Sequence, residues 1–491
     1  MKLSNMFAAA AATTLAGTAL GVPANNPVWT TNGTQIWFAG NNTQYPDIGD
    51  AVNAASDGDI IMVGAGEYVE SIHINNKDIT LVPCVEVAGG TRPADLVTFV
   101  NPTEGFNNAN GYAIRMTGSG NSYVGSYRQF TQLGNGQETT TVVLNCNSSS
   151  NYALSAPAAG APAITGMGFN INSRSIDNVA IYATDSQGTF QNCTISTAQG
   201  FGGGVIVTGA TNTTQFVDCV FSDMIATGNP LKLADGTTGP ACNVITVTGG
   251  RPLFAGGNIG GPNPCAAGSD GIVRLTGGTT TFDNYTISNC TAWASDGTVW
   301  ASGADTRVNM SRVVLDTNTS RFGTFYWDAT GATEAGGYCN FMRCNFTDNQ
   351  TANTYGGSNG FPAGGMAWVD GAVAGDRPLI NFSDCGAQNN NISGANGYQA
   401  NGNGNFMSVA SDWHPYARIA RSFSTAAPTA PNDVPVSGGT TDVNGDGTTD
   451  AADLAELQAA LGTCDYDGDL NGSINIEDLL GVIAAYGSTC Q

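Results

Sequence analysis

The chain has 491 residues, which is too long for one ordinary globular core unless the fold is elongated or repetitive. Hydrophobic residues make up 41% of the chain, which argues against general disorder, and only 11% are charged, so the predicted surface is neutral and polar. A net charge of −23 argues against nucleic acids and anionic lipid surfaces as partners and favours cations.

The first 24 residues have the features of a signal peptide. Lys2 gives a positive start, an apolar stretch follows from Met6 to Leu20, and Val22 and Ala24 are small residues suited to a cleavage site. A membrane anchor is the alternative, but the stretch is too short and too weakly apolar for one. We therefore expect a soluble protein that is secreted to the extracellular space or cell surface, where disulfides between its 12 cysteines can form.

The rest of the chain divides into three parts by composition. Residues 25–422 are rich in Gly, Asn and Thr, residues 423–441 form a linker rich in Pro, Thr and Ser, and residues 442–491 form an acidic module. The cysteines have irregular spacing and the chain has only two histidines, so a zinc site is not expected.

The beginning of the body predicts a short helix followed by short strands. Ile48–Ala55 places its apolar residues on one helical face, and Asp47 is a candidate N-cap. Ile60–Val63, Tyr68–Ile74 and Ile79–Val82 read as strands that tight turns separate. The helix is expected to cover the exposed edge of the first strands and so to prevent aggregation through that edge.

Short segments with a polar residue, a cysteine and alternating apolar residues recur along the body. Such recurrence is expected when each turn of the chain stacks on the previous one and places like residues at like positions. At roughly 20 to 30 residues per turn, the body holds on the order of a dozen coils. Glu86–Gly134 and Ala294–Ala335 fit the pattern least and are predicted to be long loops on one flank. The segments that carry the pattern are 163–171, 189–196, 215–222, 285–290, 343–349 and 379–385.

Residues Ala51 to Val82 resemble the opening of the right-handed parallel β-helix of the pectin-lyase-like superfamily. The resemblance implies an all-β solenoid with an N-terminal capping helix, followed here by a small α-helical C-terminal module. Enzymes of this superfamily act on acidic polysaccharides, so the resemblance also implies an extracellular polysaccharide as partner.

The C-terminal module contains two 12-residue loops with the oxygen ligands of EF-hands at positions 1, 3, 5, 7, 9 and 12 and glycine at position 6. The first loop gives Asp442, Asn444, Asp446, Thr448, Asp450 and Asp453. The second loop gives Asp467, Asp469, Asn471, Ser473, Asn475 and Asp478. A short amphipathic helix is predicted after each loop. Because no Lys or Arg neutralises the carboxylates, we expect Ca²⁺ binding and folding to be coupled.

This module resembles type I dockerin, a family that binds cohesin domains and tethers secreted polysaccharide-degrading enzymes. Ala451, Ala452, Ile476 and Glu477 stand where dockerins commonly carry Ser-Thr partner contacts, and the linker between the loops is short. The resemblance implies a cohesin-like or cell-surface protein as partner. Cys464 and Cys490 bracket the second loop, and export predicts a disulfide between them.

No catalytic constellation is recognised in the body. Asp412–Arg421 combines an acid, His414, arginines and aromatics, but its position favours a C-terminal cap of the solenoid. Asp305 with Arg307 and Asp376 with Arg377 are interpreted as turn charges or surface ion pairs, and His73 as a structural residue within a strand. If the protein is an enzyme, the resemblance implies a polysaccharide lyase or glycoside hydrolase.

Aromatic residues gather between positions 290 and 370, where they could stack on sugars or fill the core; the core is favoured because aromatics usually bury area. They are Trp293, Trp300, Tyr326, Trp327, Tyr338 and Trp368. Two functions therefore remain open. The first is a secreted protein that binds or processes polysaccharide and is tethered by its calcium module. The second is a non-enzymatic surface, matrix or adhesin-type protein in which the β-helix is a rigid spacer.

Overall fold

A computed structural model describes most of the body of the chain and its first capping elements. None of the helices in this part of the chain is long and apolar enough to cross a membrane. The described residues are 29–31, 34–39, 45–63, 66–83, 97–100, 111–125, 143–147, 151–155, 169–175, 177–197, 201–233, 235–268, 270–292, 297–321, 323–332, 337–352, 367–370, 379–388, 390–393, 407–409 and 418–423.

Short strands dominate these residues. In chain order the strands are β1 Trp29–Thr31, β2 Thr34–Ala39, β3 Ile60–Val63, β4 Gly66–Val69, β5 Ile72–Asn75, β6 Thr80–Pro83, β7 Val97–Val100, β8 Tyr112–Thr117, β9 Tyr123–Gly125, β10 Val143–Asn147, β11 Asn151–Ser155, β12 Asn170–Ser173, β13 Val179–Thr184, β14 Thr189–Gln191, β15 Thr194–Thr197, β16 Gly203–Thr208, β17 Gln215–Val217, β18 Val220–Phe221, β19 Met224–Ala226, β20 Pro230–Lys232, β21 Thr238–Ala241, β22 Ile245–Val247, β23 Leu253–Ala255, β24 Asn258–Gly260, β25 Cys265–Ala267, β26 Val273–Leu275, β27 Thr279–Asp283, β28 Thr286–Ser288, β29 Thr291–Ala292, β30 Gly297–Ser302, β31 Arg307–Ser311, β32 Val314–Asp316, β33 Thr319–Ser320, β34 Gly323–Asp328, β35 Tyr338–Met342, β36 Asn345–Thr347, β37 Gln350–Ala352, β38 Ala367–Asp370, β39 Leu379–Gln388, β40 Asn391–Ser393, β41 Met407–Val409 and β42 Arg418–Phe423.

The strands stack into parallel sheets that run along one axis, which confirms the predicted parallel β-helix. Sheet 1 contains β2, β3, β6, β9, β14, β17, β23, β27, β31, β35, β39 and β42. Sheet 2 contains β4, β7, β12, β15, β18, β24, β28, β32, β36 and the second half of β39. Sheet 3 contains β5, β8, β13, β16, β22, β26, β30, β34, β38 and β41, and sheet 4 contains β19, β25, β29, β33, β37 and β40. The twelve strands of sheet 1 match the expected dozen coils within the described residues.

Both segments predicted to be long flank loops contribute coils instead, so that prediction was wrong. Glu86–Gly134 includes β7, β8 and β9, and Ala294–Ala335 includes β30 to β34. The second segment was misread because β30 and β34 carry large aromatic residues on their outer faces. These residues hide the alternation of apolar and polar residues that identifies a strand.

The predicted capping helix is present as α1, Ile48–Ala54, and its two ends are held by the first coil. The predicted N-cap, Asp47, makes no capping hydrogen bond. The Glu70 carboxylate accepts the Ile48 and Gly49 amides instead, each at 2.8 Å. At the other end the Lys77 ammonium donates to three carbonyl groups, including that of Val52 at 2.6 Å. Opposite charges at the two ends suit the helix dipole and fix α1 over the open coil.

A column of phenylalanine rings fills the interior behind sheet 1. Phe216 stacks on Phe190 at 5.3 Å between ring centroids, Phe254 on Phe216 at 4.8 Å, and Phe282 on Phe254 at 4.9 Å. These rings are completely buried. The column forms because in-register strands place every second side chain at the same point of a narrow interior.

A ladder of asparagines runs along the corner between sheets 2 and 4. The amide nitrogens of Asn318, Asn349 and Asn390 each donate to a backbone carbonyl one coil earlier, at 2.8 Å in each case. Asn349 Oδ1 also accepts the backbone and side-chain N–H groups of Asn318, each at 3.0 Å. Cys265 and Cys290 occupy the same register position in earlier coils. The ladder satisfies corner groups that the strands leave unpaired.

Eight cysteines have side chains that the structure describes, and all of them are buried. Several donate weakly to carbonyl groups of the preceding coil, as Cys219 Sγ does to Phe190 O at 3.5 Å. Burial raises the pKa of Cys219 well above its ordinary value, so this thiol is protonated. These cysteines therefore pack as small apolar side chains. The predicted Cys464–Cys490 disulfide lies outside the described residues.

Candidate functional site

Most site residues predicted from the sequence lie outside the described residues. These are all twelve proposed calcium ligands between Asp442 and Asp478, the segment 410–417 with His414, and the pair Asp376 and Arg377. Of the remaining candidates, Asp305 is an exposed turn residue and Arg307 lies on β31. Within the described part of the chain, no group of three or more His, Cys, Asp or Glu side chains could hold a metal ion.

The outer face of sheet 3 carries one residue from each coil in a continuous register. We call this set the outer column. It alternates with buried interior residues such as Ile114, Val273 and Phe325, because successive strand residues face opposite sides. The column rises by about 4.8 Å per coil along the solenoid axis. Its members are His73, Arg115, Tyr182, Ile206, Thr246, Arg274, Trp300 and Tyr326, and the backbone register continues through Trp368 and Ser408.

A hairpin covers the middle of the outer column. Antiparallel strands β20 and β21 form this hairpin, which is inserted between β19 and β22. Its Leu231 and the following Cys242 are fully buried and pack in one cluster with Tyr182 and Ile206. The hairpin therefore divides the column into an N-terminal segment, residues His73 to Tyr182, and a C-terminal segment, residues Arg274 to Tyr326.

The C-terminal segment begins with an arginine stacked on a tryptophan. Arg274 Cζ lies 5.3 Å from the ring centroid of Trp300, and Arg274 Nε donates to Asp270 Oδ2 at 3.1 Å. Trp300 is partly exposed, whereas Tyr326 one coil later is 6% exposed. Trp368 occupies the next register position. The ion pair fixes the guanidinium, which in turn holds the Trp300 ring, so the aromatic surface is preorganised.

Glycines on neighbouring coils keep this aromatic segment tightly packed. A Cβ at Gly271 would approach the Trp300 Cβ to 3.0 Å, and one at Gly297 would approach the Tyr326 Cβ to 2.6 Å. Gly271 also has a φ of +81°, which other residues rarely adopt. A larger residue at either position would displace the aromatic side chain beside it.

The N-terminal segment centres on a second arginine between aromatic rings. Arg115 Cζ lies 5.2 Å from the Tyr182 ring centroid and 5.9 Å from that of Tyr112. His73 Nε2 lies 2.9 Å from Thr117 Oγ1. Burial and the nearby Arg115 charge lower the pKa of His73, and burial raises the pKa of Tyr112. The shifted pKa values favour the neutral imidazole of His73 and the neutral phenol of Tyr112 beside the Arg115 guanidinium.

The predicted aromatic cluster is split between the core and two outer faces. Trp327 is fully buried in the core, as favoured for these residues, and Trp300 and Tyr326 belong to the outer column. Tyr338 lies on the outer face of sheet 1, with Arg307 Cζ 5.5 Å from its ring. Trp293 lies outside the described residues. His73 is on a strand as predicted, but the roles of Arg115 and Arg274 were missed because no local motif marks them.

The geometry suits recognition of a polar ligand rather than proton transfer. Aromatic faces offer apolar area, arginines offer directed N–H donors, and the alternation repeats along a straight axis. Such a surface can hold an extended ligand that lies along the solenoid.

Comparisons with known proteins identify no family. No family model and no curated protein match the chain. Among solved structures, the pectin methylesterase from Aspergillus niger is 13% identical, with a TM-score of 0.32 over 80% of this chain and 96% of that one. The rice weevil pectin methyl esterase is 14% identical, with a TM-score of 0.30 over 86% and 96%. PemA from Erwinia chrysanthemi is 12% identical, with a TM-score of 0.26 over 76% and 92%. The parallel β-helix is established by the strand register of this chain itself.

Proposed function

We propose that this protein binds an extracellular polysaccharide along the outer column of sheet 3. The observation that supports the proposal is the stack of Arg274 on the partly exposed Trp300, with Tyr326 one coil further along the same line. A sugar ring has an apolar face that packs on an aromatic ring and hydroxyl groups that hydrogen-bond to arginine. A linear polysaccharide can repeat these contacts from coil to coil.

The test is affinity electrophoresis of the full-length protein in native gels that each contain one polysaccharide from a plant, algal and bacterial panel. We expect at least one polysaccharide to retard the protein. Trp300→Ala should weaken its binding by about tenfold or more, because truncation of a central aromatic anchor typically costs about 2 kcal/mol. Tyr338→Ala is the matched control, because it removes an aromatic residue paired with arginine from sheet 1.

Two results would overturn the proposal. One is the absence of retardation by every polysaccharide. The other is an equal loss of affinity in the Trp300→Ala and Tyr338→Ala proteins, which would mean that sheet 3 has no special role. Release of reducing or unsaturated sugars in the same mixtures would extend the function from binding to processing.

The C-terminal module is proposed to bind two Ca²⁺ ions and to tether the secreted protein to a cohesin-like or cell-surface partner. The support is the spacing of oxygen ligands in residues 442–453 and 467–478. Calorimetric titration of the calcium-free full-length protein should give two binding events per chain. The double variant Asp442→Ala and Asp467→Ala should lose both, and an unchanged titration would refute the assigned ligands.

The alternative function is a rigid structural spacer without a ligand. The phenylalanine column and the asparagine ladder favour it, because both stiffen the solenoid and neither is exposed. A spacer does not require an exposed Trp300, and the electrophoresis experiment distinguishes the two functions.

A further inference from the structure

Arg115 differs from the other arginines whose ion pairs the structure gives. Arg174 lies 3.8 Å from Glu67, Arg274 is paired with Asp270 at 3.1 Å, and Arg312 with Asp283 at 2.6 Å. Arg115 is partly buried and has no carboxylate within ion-pair distance among the described residues. Its Nε, like that of Arg174, is buried and has no hydrogen-bond acceptor in this part of the chain. A buried donor without an acceptor is unfavourable.

The surroundings hold the Arg115 guanidinium in place without neutralising it. The Tyr112 and Tyr182 rings lie on it, and their centroids are 6.3 Å apart. Burial raises the pKa of Tyr112, so this phenol stays neutral and does not compete with an anion for the guanidinium. His73 lies one coil earlier in the register and contacts Thr117. The result is a single positive charge in a partly desolvated setting, in a chain whose net charge is −23.

The hairpin β20–β21 packs against the two tyrosines that flank Arg115, because its Leu231 lies in one cluster with Tyr112 and Tyr182. Lys232 fixes it, since Lys232 Nζ pairs with Asp177 at 2.6 Å and Lys232 O accepts the Gly111 amide at 2.9 Å. This ion pair neutralises both of its members, so neither competes with Arg115. The exposed turn of the hairpin carries Asp235, whose carboxylate accepts the Thr237 hydroxyl at 2.6 Å. Hydrogen bonds from Thr237, followed by the more distant Arg115 charge, lower the pKa of Asp235.

We propose that Arg115 binds one oxyanion group of the ligand, either the carboxylate of an acidic sugar or a sulfate ester, beside the hairpin. This inference rests on the proposed function, because it places an acidic residue of the polysaccharide at the N-terminal segment of the outer column. The fork of N–H donors on the partly exposed guanidinium suits a planar or tetrahedral oxyanion.

The charge of the whole protein narrows the ligand further. A chain with a net charge of −23 repels a densely charged polyanion, whereas one local arginine favours an isolated acidic group. The preferred ligand is therefore a mainly neutral polysaccharide that carries sparse acidic substituents. Its neutral residues would contact Trp300, and one acidic residue would contact Arg115.

The test follows the arginine Nε–H signals of full-length protein labelled with ¹⁵N-arginine, assigned through Arg115→Lys and Arg274→Lys variants. Sodium glucuronate and sodium sulfate are titrated separately, with glucose as the neutral control and chloride maintaining ionic strength. The Arg115 signal should shift saturably with at least one of the two anions, and the anion that saturates at lower concentration identifies the group. The Arg274 signal is the internal control, because its Nε already donates to Asp270.

An Arg115 signal that moves no more than that of Arg274 with either anion would overturn the inference, as would an equal response to glucose. The result is separable from the electrophoresis. Retardation by a polysaccharide without a response of Arg115 would refute the oxyanion site alone. A response of Arg115 without retardation by any polysaccharide would refute the polysaccharide proposal and leave the oxyanion site standing.

Discussion

The interior columns and the outer column of sheet 3 share the same coil-to-coil register but differ in how completely their groups are paired. Phe254 is stacked on both sides, and Asn349 uses its side-chain oxygen and nitrogen for hydrogen bonds to neighbouring coils. In the outer column, Trp300 is partly exposed and Arg115 Nε has no acceptor among the described residues. Side chains that repeat from coil to coil and contact each other on both sides stabilise the fold. Side chains that repeat on the outer face and keep exposed surface can contact a ligand.

The largest expected effect is that of Phe254→Ala, which removes the central ring of the interior stack. It should lower the free energy of unfolding by about 3–5 kcal/mol, because a large buried ring is lost and a cavity remains. The measurement is the shift of the urea midpoint, followed by circular dichroism at matched protein concentration.

Trp300→Ala is the control on the outer column, and it should change the free energy of unfolding by less than about 1 kcal/mol. If both variants shifted the midpoint equally, the outer column would be part of the structural core. The distinction between a stabilising interior and a recognising exterior would then fail.

The asparagine ladder should come second in effect. Asn349→Ala removes the acceptor of two Asn318 N–H groups and the donor to Leu315 O, which leaves buried polar groups unpaired. We expect a loss of about 3 kcal/mol in the free energy of unfolding. Asn340→Ala is the matched control, because Asn340 makes a 3.3 Å contact with Asn309 on the outer face of sheet 1. Equal losses in the urea midpoint would show that burial of the ladder contributes nothing.

The coil architecture could be predicted from the sequence because its signal is local. The apolar run Ile60–Val63 and the apolar face of Ile48–Ala55 correspond to β3 and α1. The predicted N-cap of α1, Asp47, was wrong. The carboxylate that accepts the first amides of the helix belongs to Glu70, which lies further along the chain, after β4. A local reading of propensity does not include such a contact between coils.

The outer column was not predictable for a related physical reason. Unequal insertions separate its members along the chain, so the residues that share the column have no constant spacing in sequence. The hairpin between β19 and β22 is one such insertion. Arg115 and Arg274 acquire their common setting only when the coils stack in register.

Glu70→Ala should have the third largest effect, because it leaves the Ile48 and Gly49 amides without their acceptor. We expect the free energy of unfolding to fall by about 1–3 kcal/mol. Hydrogen exchange of the α1 amides should accelerate more than that of β27 or β31, since the loss is at the end of the solenoid. Glu67→Ala is the control, because Glu67 is 60% exposed and 3.8 Å from Arg174. An unchanged exchange rate in α1 would exclude Glu70 as its cap.

The smallest expected effect concerns the protonation of His73 on the outer column. Burial and the Arg115 charge lower its folded pKa below the ordinary value of 6.5, so the native state favours the neutral ring. As the pH falls below about 6.5, the unfolded chain takes up this proton before the folded chain does, so His73 lowers stability progressively until its folded pKa is passed. Proton NMR of the full-length protein, which has two histidines, should give a pKa below 6.5 for the signal that disappears in His73→Gln. The Arg115→Gln protein should raise that pKa, because the repelling charge is gone. A His73 pKa at or above 6.5, or one that Arg115→Gln leaves unchanged, would mean that the Arg115 guanidinium does not act on the imidazole.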